Sequence, residues 1–154
     1  MIQRTAWVSA LKALPTNELL TFTKELSEEW TLRPKSLPQS GLGMMKLKDS
    51  ACNEDFYLGE FPMSSAWLEV TTPAGLKAEG AAHVMDDNVE IAEALAVCDA
   101  VLSSELPGWK QVYKMVEQGL SIRENTNRER KMMLAHTRVN FSLLDNVGDD
   151  NNEN

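Results

Sequence analysis

Hydrophobic residues recur at helical spacing at the start of the chain. Trp7, Leu11 and Leu14 lie three or four positions apart, and the proline after them predicts the end of this helix. Thr16 can cap a second helix. Its large side chains on one face are Leu19, Phe22, Leu26 and Trp30. The segment TLRPKSLPQSG that follows contains two prolines and a glycine, which predict a break in helicity.

The pattern changes to short extended segments between Leu42 and Val84. They are GLGMMKLK, DFYLGEF, MSSAWLEVTT and GLKAEGAAHV, each bounded by turn residues. The third segment alternates, and its more apolar face consists of Ser64, Ala66, Leu68 and Val70. TTPAGL predicts a hairpin loop, because proline presets φ and Gly75 can adopt a positive φ. These segments predict an antiparallel meander of about four strands with one covered face.

Helical spacing returns in the second half of the chain. Asp86 or Asp87 can cap a helix. Its apolar stripe is Ile91, Leu95, Cys98 and Leu102, and LPG at 106–108 ends it. A shorter amphipathic helix carries Trp109, Val112, Val116 and Leu120. The last helix is polar in RENTNRERK and then apolar on one face, at Met132, His136, Val139 and Leu143.

Helices, then a meander, then helices predict an α+β fold, with the C-terminal helices packed on one sheet face. We expect residues 1–148 to form a single domain and residues 149–154, DDNNEN, to be a disordered acidic tail. The formal net charge of −8 argues against general binding to nucleic acid or anionic membranes. The N-terminal segment does not have the pattern of a signal peptide or membrane span, so we expect a cytoplasmic protein with free thiols at Cys52 and Cys98.

Candidate chemistry is sparse along the chain. GLGMMK at 41–46 lacks the third glycine of a dinucleotide-binding loop and leads into a strand rather than a helix. His83, Asp86 and Asp87 lack the usual spacing of metal ligands and are better explained as a strand end and helix caps, so no metal site is predicted. His136 shares its helical face with apolar residues, which favours packing over a role as general base.

Basic residues gather in the stretch 122–138, against the overall charge of the chain. A solvated helix face, with Glu124 and Arg128 four positions apart, is the simpler interpretation. The alternative is a surface that faces an anion or an acidic partner, because guanidinium groups bind phosphates and carboxylates well. The residues are Arg123, Arg128, Arg130, Lys131 and Arg138.

Three motifs together resemble a known family. NEDFYLGE at 53–60, IAEALAVCDAVL at 91–102 and TRVNFSLLDNVG at 137–148 are similar, in order and spacing, to the PhnG subunit of the bacterial carbon–phosphorus lyase system. The similarity extends from about Trp7 to Gly148. The matching positions are Phe56, Tyr57, Gly59, Glu60, Glu93, Asp99, Arg138, Val139 and Phe141. Asn140 and Ser142 depart from the family pattern, which has an acid and often an aromatic residue there.

The resemblance implies a subunit of a hetero-oligomeric core complex that supports phosphonate catabolism. In that complex an alkylphosphonate is transferred to ribose C1 of ATP with release of adenine, giving a ribose 1-alkylphosphonate 5-triphosphate. A radical S-adenosylmethionine subunit later breaks the carbon–phosphorus bond. ATP is then a substrate of the complex, no cofactor is expected on this chain, and no catalytic residue can be assigned. The isolated chain is expected to be inactive, and it could form a homo-oligomer.

Two other functions stay open on the sequence alone. One is a freestanding regulatory or small-ligand binding module without catalytic activity. The other is an independent acid–base enzyme that uses Glu54, Asp55 or His136. For a subunit, the C-terminal apolar residues Phe141 and Leu144, which lie off the main stripe, and the nearby Arg138 are the interface candidates.

Overall fold

Seven elements make up the part of the chain that the computed structural model describes, residues 2–136 without the side chain of His136. In chain order they are α1 (Arg4–Leu11), α2 (Thr16–Leu26), β1 (Thr31–Lys48), β2 (Asp55–Thr71), β3 (Lys77–Val84), α3 (Val89–Ser103) and α4 (Trp109–His136). The chain divides into two units, Met1–Ile122 and Arg123–Asn154. The described part of the second unit is the C-terminal half of α4. The predicted α+β fold is confirmed.

The sheet has three antiparallel strands in the order β1-β2-β3, rather than about four. DFYLGEF and MSSAWLEVTT, predicted as two strands, are one strand, β2. TLRPKSLPQSG, predicted as a break, is the first part of β1. Its prolines are tolerated because β1 is an edge strand, and the register with β2 shifts between Pro34 and Ser36 and again before Gln39.

The core lies between one face of this sheet and the helices of the first unit. The alternation predicted for β2 is confirmed, since Ser64, Ala66, Leu68 and Val70 are buried. Helix α3 is buried along most of its length, including its predicted stripe. Gly80 of β3 lets α3 approach closely, because a side chain there would overlap the backbone of Ala96 and Ala100.

Several predicted element ends are corrected by the structure. Pro15 occupies the N-cap position of α2, and Thr16 is its first helical residue. Asn88, not Asp86 or Asp87, caps α3 through its side-chain oxygen, which accepts from the Glu90 amide at 2.9 Å. The loop prediction at TTPAGL is confirmed, with φ of +80° at Gly75.

The two helices predicted after residue 108 form one continuous helix, α4. Good helix formers and the absence of proline or glycine between Leu120 and His136 explain this continuity. Met132, predicted to pack as part of an apolar stripe, is exposed. None of the helices within residues 2–136 has the length and apolarity needed to cross a membrane.

Candidate functional site

The most unusual surface is a two-stranded ribbon at the end of the sheet, residues 39–63. Strand β3 pairs only with Ser64–Thr71 of β2, so beyond Ser64 the long strands β1 and β2 pair only with each other. The tip of the ribbon is ordered by Asp49, whose carboxylate accepts the amide hydrogens of Ala51 and Cys52 at 3.0 and 3.1 Å. These hydrogen bonds hold the pKa of Asp49 below its usual value.

The four family-motif positions of the first motif all lie on this ribbon. Phe56, Tyr57 and Glu60 are exposed. Gly59 pairs with Met45, and the next pair is Lys46 with Tyr57, so Leu58 is an extra residue that forms a bulge. The two motif aromatics are consecutive residues of the strand, so they project on opposite faces of the ribbon, and the bulge sets which face each of them occupies.

The outer face of the ribbon continues the solvent-exposed face of the sheet. It carries Met45, Leu47 and Phe56, which are 37%, 39% and 44% exposed. Phe61 belongs to the same face and covers Gly43, since a side chain at Gly43 would come within 2.7 Å of its ring. This face is therefore partly packed on itself.

The inner face of the ribbon continues the face of the sheet that the helices cover. Leu42, Met44 and Tyr57 lie on it and are 70%, 61% and 61% exposed. Lys46 and Asp55 on the same face form an ion pair at 2.6 Å. The inner face is thus the more exposed of the two, although the same side of the sheet is buried in the body of the protein.

Asp99, a position of the second motif, has a structural role. Its buried carboxylate accepts two hydrogen bonds from the Arg4 guanidinium, at 2.9 and 2.6 Å. It also accepts the Ala81 amide hydrogen at 3.1 Å. The hydrogen bonds to Asp99 raise the pKa of Arg4. Asp99 therefore connects α1, α3 and β3.

Glu93, the other position of that motif, borders a cavity of about 460 Å³ between α2, α3 and the first part of the sheet. Leu20, Leu32 and Leu68 form the apolar part of its lining, and Lys24 lines the cavity together with Glu93. The lining of the cavity combines apolar side chains with a few charged groups, as in small-ligand pockets.

The remaining candidates of the sequence analysis are separated in space or engaged in structural contacts. Asp86 forms an ion pair with Lys12 at 2.6 Å, and the hydrogen bond donated by the Lys12 ammonium lowers the pKa of Asp86. His83 is exposed on β3. Within residues 2–136 no three side chains are arranged as metal ligands. Burial raises the pKa of Cys98 to about 12, whereas Cys52 is exposed and both thiols are free.

Of the residues named for the alternative acid–base enzyme, the structure describes the side chains of Glu54 and Asp55. Asp55 is paired with Lys46, and Glu54 is an exposed residue of the ribbon turn. The side chain of His136 and the interface candidates Arg138, Phe141 and Leu144 lie outside the described residues.

Sequence reasoning missed the ion pairs that join the elements. Besides Arg4–Asp99 and Lys12–Asp86, Lys35 of β1 contacts Glu79 of β3 at 2.8 Å. These partners are far apart in sequence, and only the strand register and the helix packing bring them together. No local pattern would have identified them.

Comparison with known proteins agrees with the motifs. The family model described as "Phosphonate metabolism protein PhnG" matches residues 2–145, which include every element of the structure. A search of curated proteins finds no match. The match covers most of the 154 residues, and it includes the motifs on the ribbon and on α3. The chain therefore belongs to the PhnG family of phosphonate metabolism proteins.

Proposed function

We propose that this chain is a non-autonomous subunit of a complex that transfers an alkylphosphonate to ribose C1 of ATP. In this reaction an oxygen of the phosphonate bonds to C1 while the bond from C1 to adenine breaks. The products are adenine and a ribose 1-alkylphosphonate 5-triphosphate. ATP is then a substrate of the complex, held chiefly by companion subunits. Membership of a phosphonate metabolism family is the basis of this proposal.

The observation that carries the subunit role is the exposed ribbon. Soluble monomers rarely expose a large contiguous apolar surface without a partner. Here Leu42, Met44, Tyr57 and Leu58 all lie on the ribbon and are each more than half exposed. Since Tyr57 is also a family-motif position, the simplest explanation is that the ribbon is covered when the complex assembles.

The state of the titratable groups agrees with a supporting role. The buried carboxylate of Asp99 is held by Arg4, and Asp86 is held by Lys12. Both contacts join elements of the fold. The buried thiol of Cys98 is kept protonated at neutral pH by its raised pKa, which makes it a poor nucleophile.

The C-terminal segment is a second part of the proposed interface. Phe141 and Leu144 are large apolar residues close to an acidic end of the chain, and Arg138 is the cation nearest to them in sequence. An aromatic anchor at the centre of an interface can contribute about 2 kcal/mol or more. We propose that Phe141→Ala weakens assembly of the complex while the isolated chain stays folded.

Adenine release from ATP and methylphosphonate tests the proposed function. We expect no turnover by the purified chain, turnover by the complete set of companion subunits, and loss of turnover when this chain alone is omitted. Adenine is separated from ATP by chromatography and measured by its absorbance. Robust turnover by the isolated chain, or undiminished turnover without it, would contradict the proposal.

The cavity beside Glu93 supports a second candidate function, a module that binds a small ligand. Its apolar wall and the charges of Glu90, Glu93 and Lys24 suit an amphiphilic molecule with a charged end. Leu32→Trp at the cavity wall should then abolish a thermal shift that a screened ligand produces with the unaltered protein. If no ligand raises the unfolding temperature, this candidate is refuted.

A further inference from the structure

The inner face of the ribbon is a sheet face that lacks its covering layer. In the body of the protein the same face of β2 is buried at Ala66, Leu68 and Val70, and α3 packs on it. Along the strand this face continues without interruption from Ser64 to Pro62 and Glu60. Beyond Ser64, towards the tip of the ribbon, the residues on this face are no longer buried, although several of them are still apolar.

The exposed apolar area on this face is substantial. Leu42, Met44 and Tyr57 are 70%, 61% and 61% exposed. Together these side chains expose on the order of 400 Å² of surface, which is comparable to the largest, often functional, patch on a typical monomer. A two-stranded ribbon is only marginally stable in water unless something packs against it.

Charge distinguishes this face further. Lys46 is already paired with Asp55, and Lys48 lies opposite Asp55 at the tip of the ribbon, away from the apolar residues. Glu60, opposite Met44, has no cation within salt-bridge distance among the described residues. A covering element with a basic side chain beside its apolar stripe would therefore complement Glu60.

From this geometry we propose that an amphipathic helix of a companion subunit docks on the inner face of the ribbon, in the position that α3 occupies on the body of the sheet. Its apolar stripe covers Leu42, Met44 and Tyr57, and a lysine or arginine beside the stripe pairs with Glu60. The inference rests on the proposed function, since it assumes that this chain assembles with companion subunits. It adds the surface and the kind of element that binds there.

A helix fits the observations better than a second copy of this chain. Helix α3 covers this face of β2 and β3 elsewhere in the same sheet, and the register of β1 with β2 is regular from Ser40 to Met45. A second copy would also bring another formal charge of −8 close to the first. The inner face is thus assigned to a partner of different sequence.

Adjacent methionines on β1 provide a matched test. Met44 lies on the inner face and Met45 on the outer face, so Met44→Ser and Met45→Ser make the same chemical change one residue apart. The full-length variants are co-expressed with the companion subunits, and assembly is measured by the yield of those subunits with the tagged chain. We expect Met44→Ser to weaken assembly about tenfold and Met45→Ser to leave it nearly unchanged. Glu60→Lys should also weaken assembly.

Photo-crosslinking identifies the occupant. A photoreactive amino acid replaces Tyr57, and mass spectrometry locates the crosslinked peptide. A crosslink to a helix of a companion subunit is the expected result. A crosslink only to a second copy of this chain would show that the assigned occupant is wrong.

The remaining outcomes separate this inference from the proposed function. If the unaltered chain co-purifies with the subunits and Met44→Ser does so equally well, the docking surface is refuted while the subunit role stands. If the unaltered chain does not assemble at all, the proposed function fails and the inference fails with it. Circular dichroism of each variant confirms that the exposed substitution has not unfolded the chain.

Discussion

Gly80→Ala should destabilise the protein strongly, because α3 crosses β3 at this position with no space for a side chain. The added methyl group would overlap the carbonyl oxygen of Ala96, and it would lie 2.5 Å from the Ala100 nitrogen and 2.8 Å from its Cβ. Two of these three atoms belong to the backbone of α3, so a change of rotamer cannot relieve the overlap. The helix as a whole must move away from the sheet.

The magnitude follows from the rigidity of these neighbours. Overpacking of a core costs typically about 1–3 kcal/mol. The backbone contacts of Gly80 place it near the upper end, at about 3 kcal/mol. For a chain of this length that corresponds to a decrease in the melting temperature of roughly 6–12 °C.

Gly41→Ala is the matched control, because Gly41 also lies in a strand and a side chain there meets nothing within 4 Å. Urea denaturation followed by circular dichroism gives the free energy of unfolding for both variants. We expect Gly41→Ala to be neutral or slightly stabilising, since alanine restricts the unfolded chain. If Gly80→Ala comes within about 0.5 kcal/mol of Gly41→Ala, the close approach of α3 to β3 is not as described.

Two further predictions concern ionisable groups. Cys52 should react with a maleimide at neutral pH while Cys98 stays protected until the protein unfolds, because Cys98 is buried and its pKa is raised to about 12; equal labelling of both thiols in the folded protein, measured by mass spectrometry, would contradict this. The Lys12–Asp86 pair lowers the pKa of Asp86, so its contribution to stability is complete above about pH 4, the usual range of an unfolded aspartate, and is lost as the pH falls through the lowered pKa. Lys12→Met should therefore reduce stability at neutral pH and reduce it less at low pH, as urea titrations at several pH values will show; an equal loss at all pH values would refute the assignment.

The sequence predicted the elements whose patterns are local. The alternation in β2 and the apolar stripe of α3 were sufficient because each buries a continuous face against one neighbour. The position of the first motif in an extended segment was also predicted correctly. What could not be predicted is that this segment extends past the body of the sheet.

The errors have a common physical origin. Pro34 and Pro38 in β1 are normally signs of a loop, and only the edge position of the strand makes them acceptable. The buried role of Asp99 depends on Arg4, which is 95 residues away in sequence. The tertiary fold determines both the edge position of β1 and the pairing of Asp99 with Arg4. Neither can be inferred from the spacing or the composition of the chain.

The hydrogen bond from the Ala81 amide to Asp99 has a consequence for self-association. Strand β3 is an edge strand, and the Ala81 amide points away from β2. An outward-pointing amide on an edge strand is normally free to pair with a strand of another molecule. The Asp99 carboxylate, which is also paired with Arg4, accepts the hydrogen bond of this amide, so the amide is not free to bind another strand. On the opposite edge, Pro34 and Pro38 cannot donate hydrogen bonds at all. At these positions the body of the sheet offers no free backbone donor to a further strand, so Asp99 both joins three elements of the fold and disfavours strand addition beside Ala81.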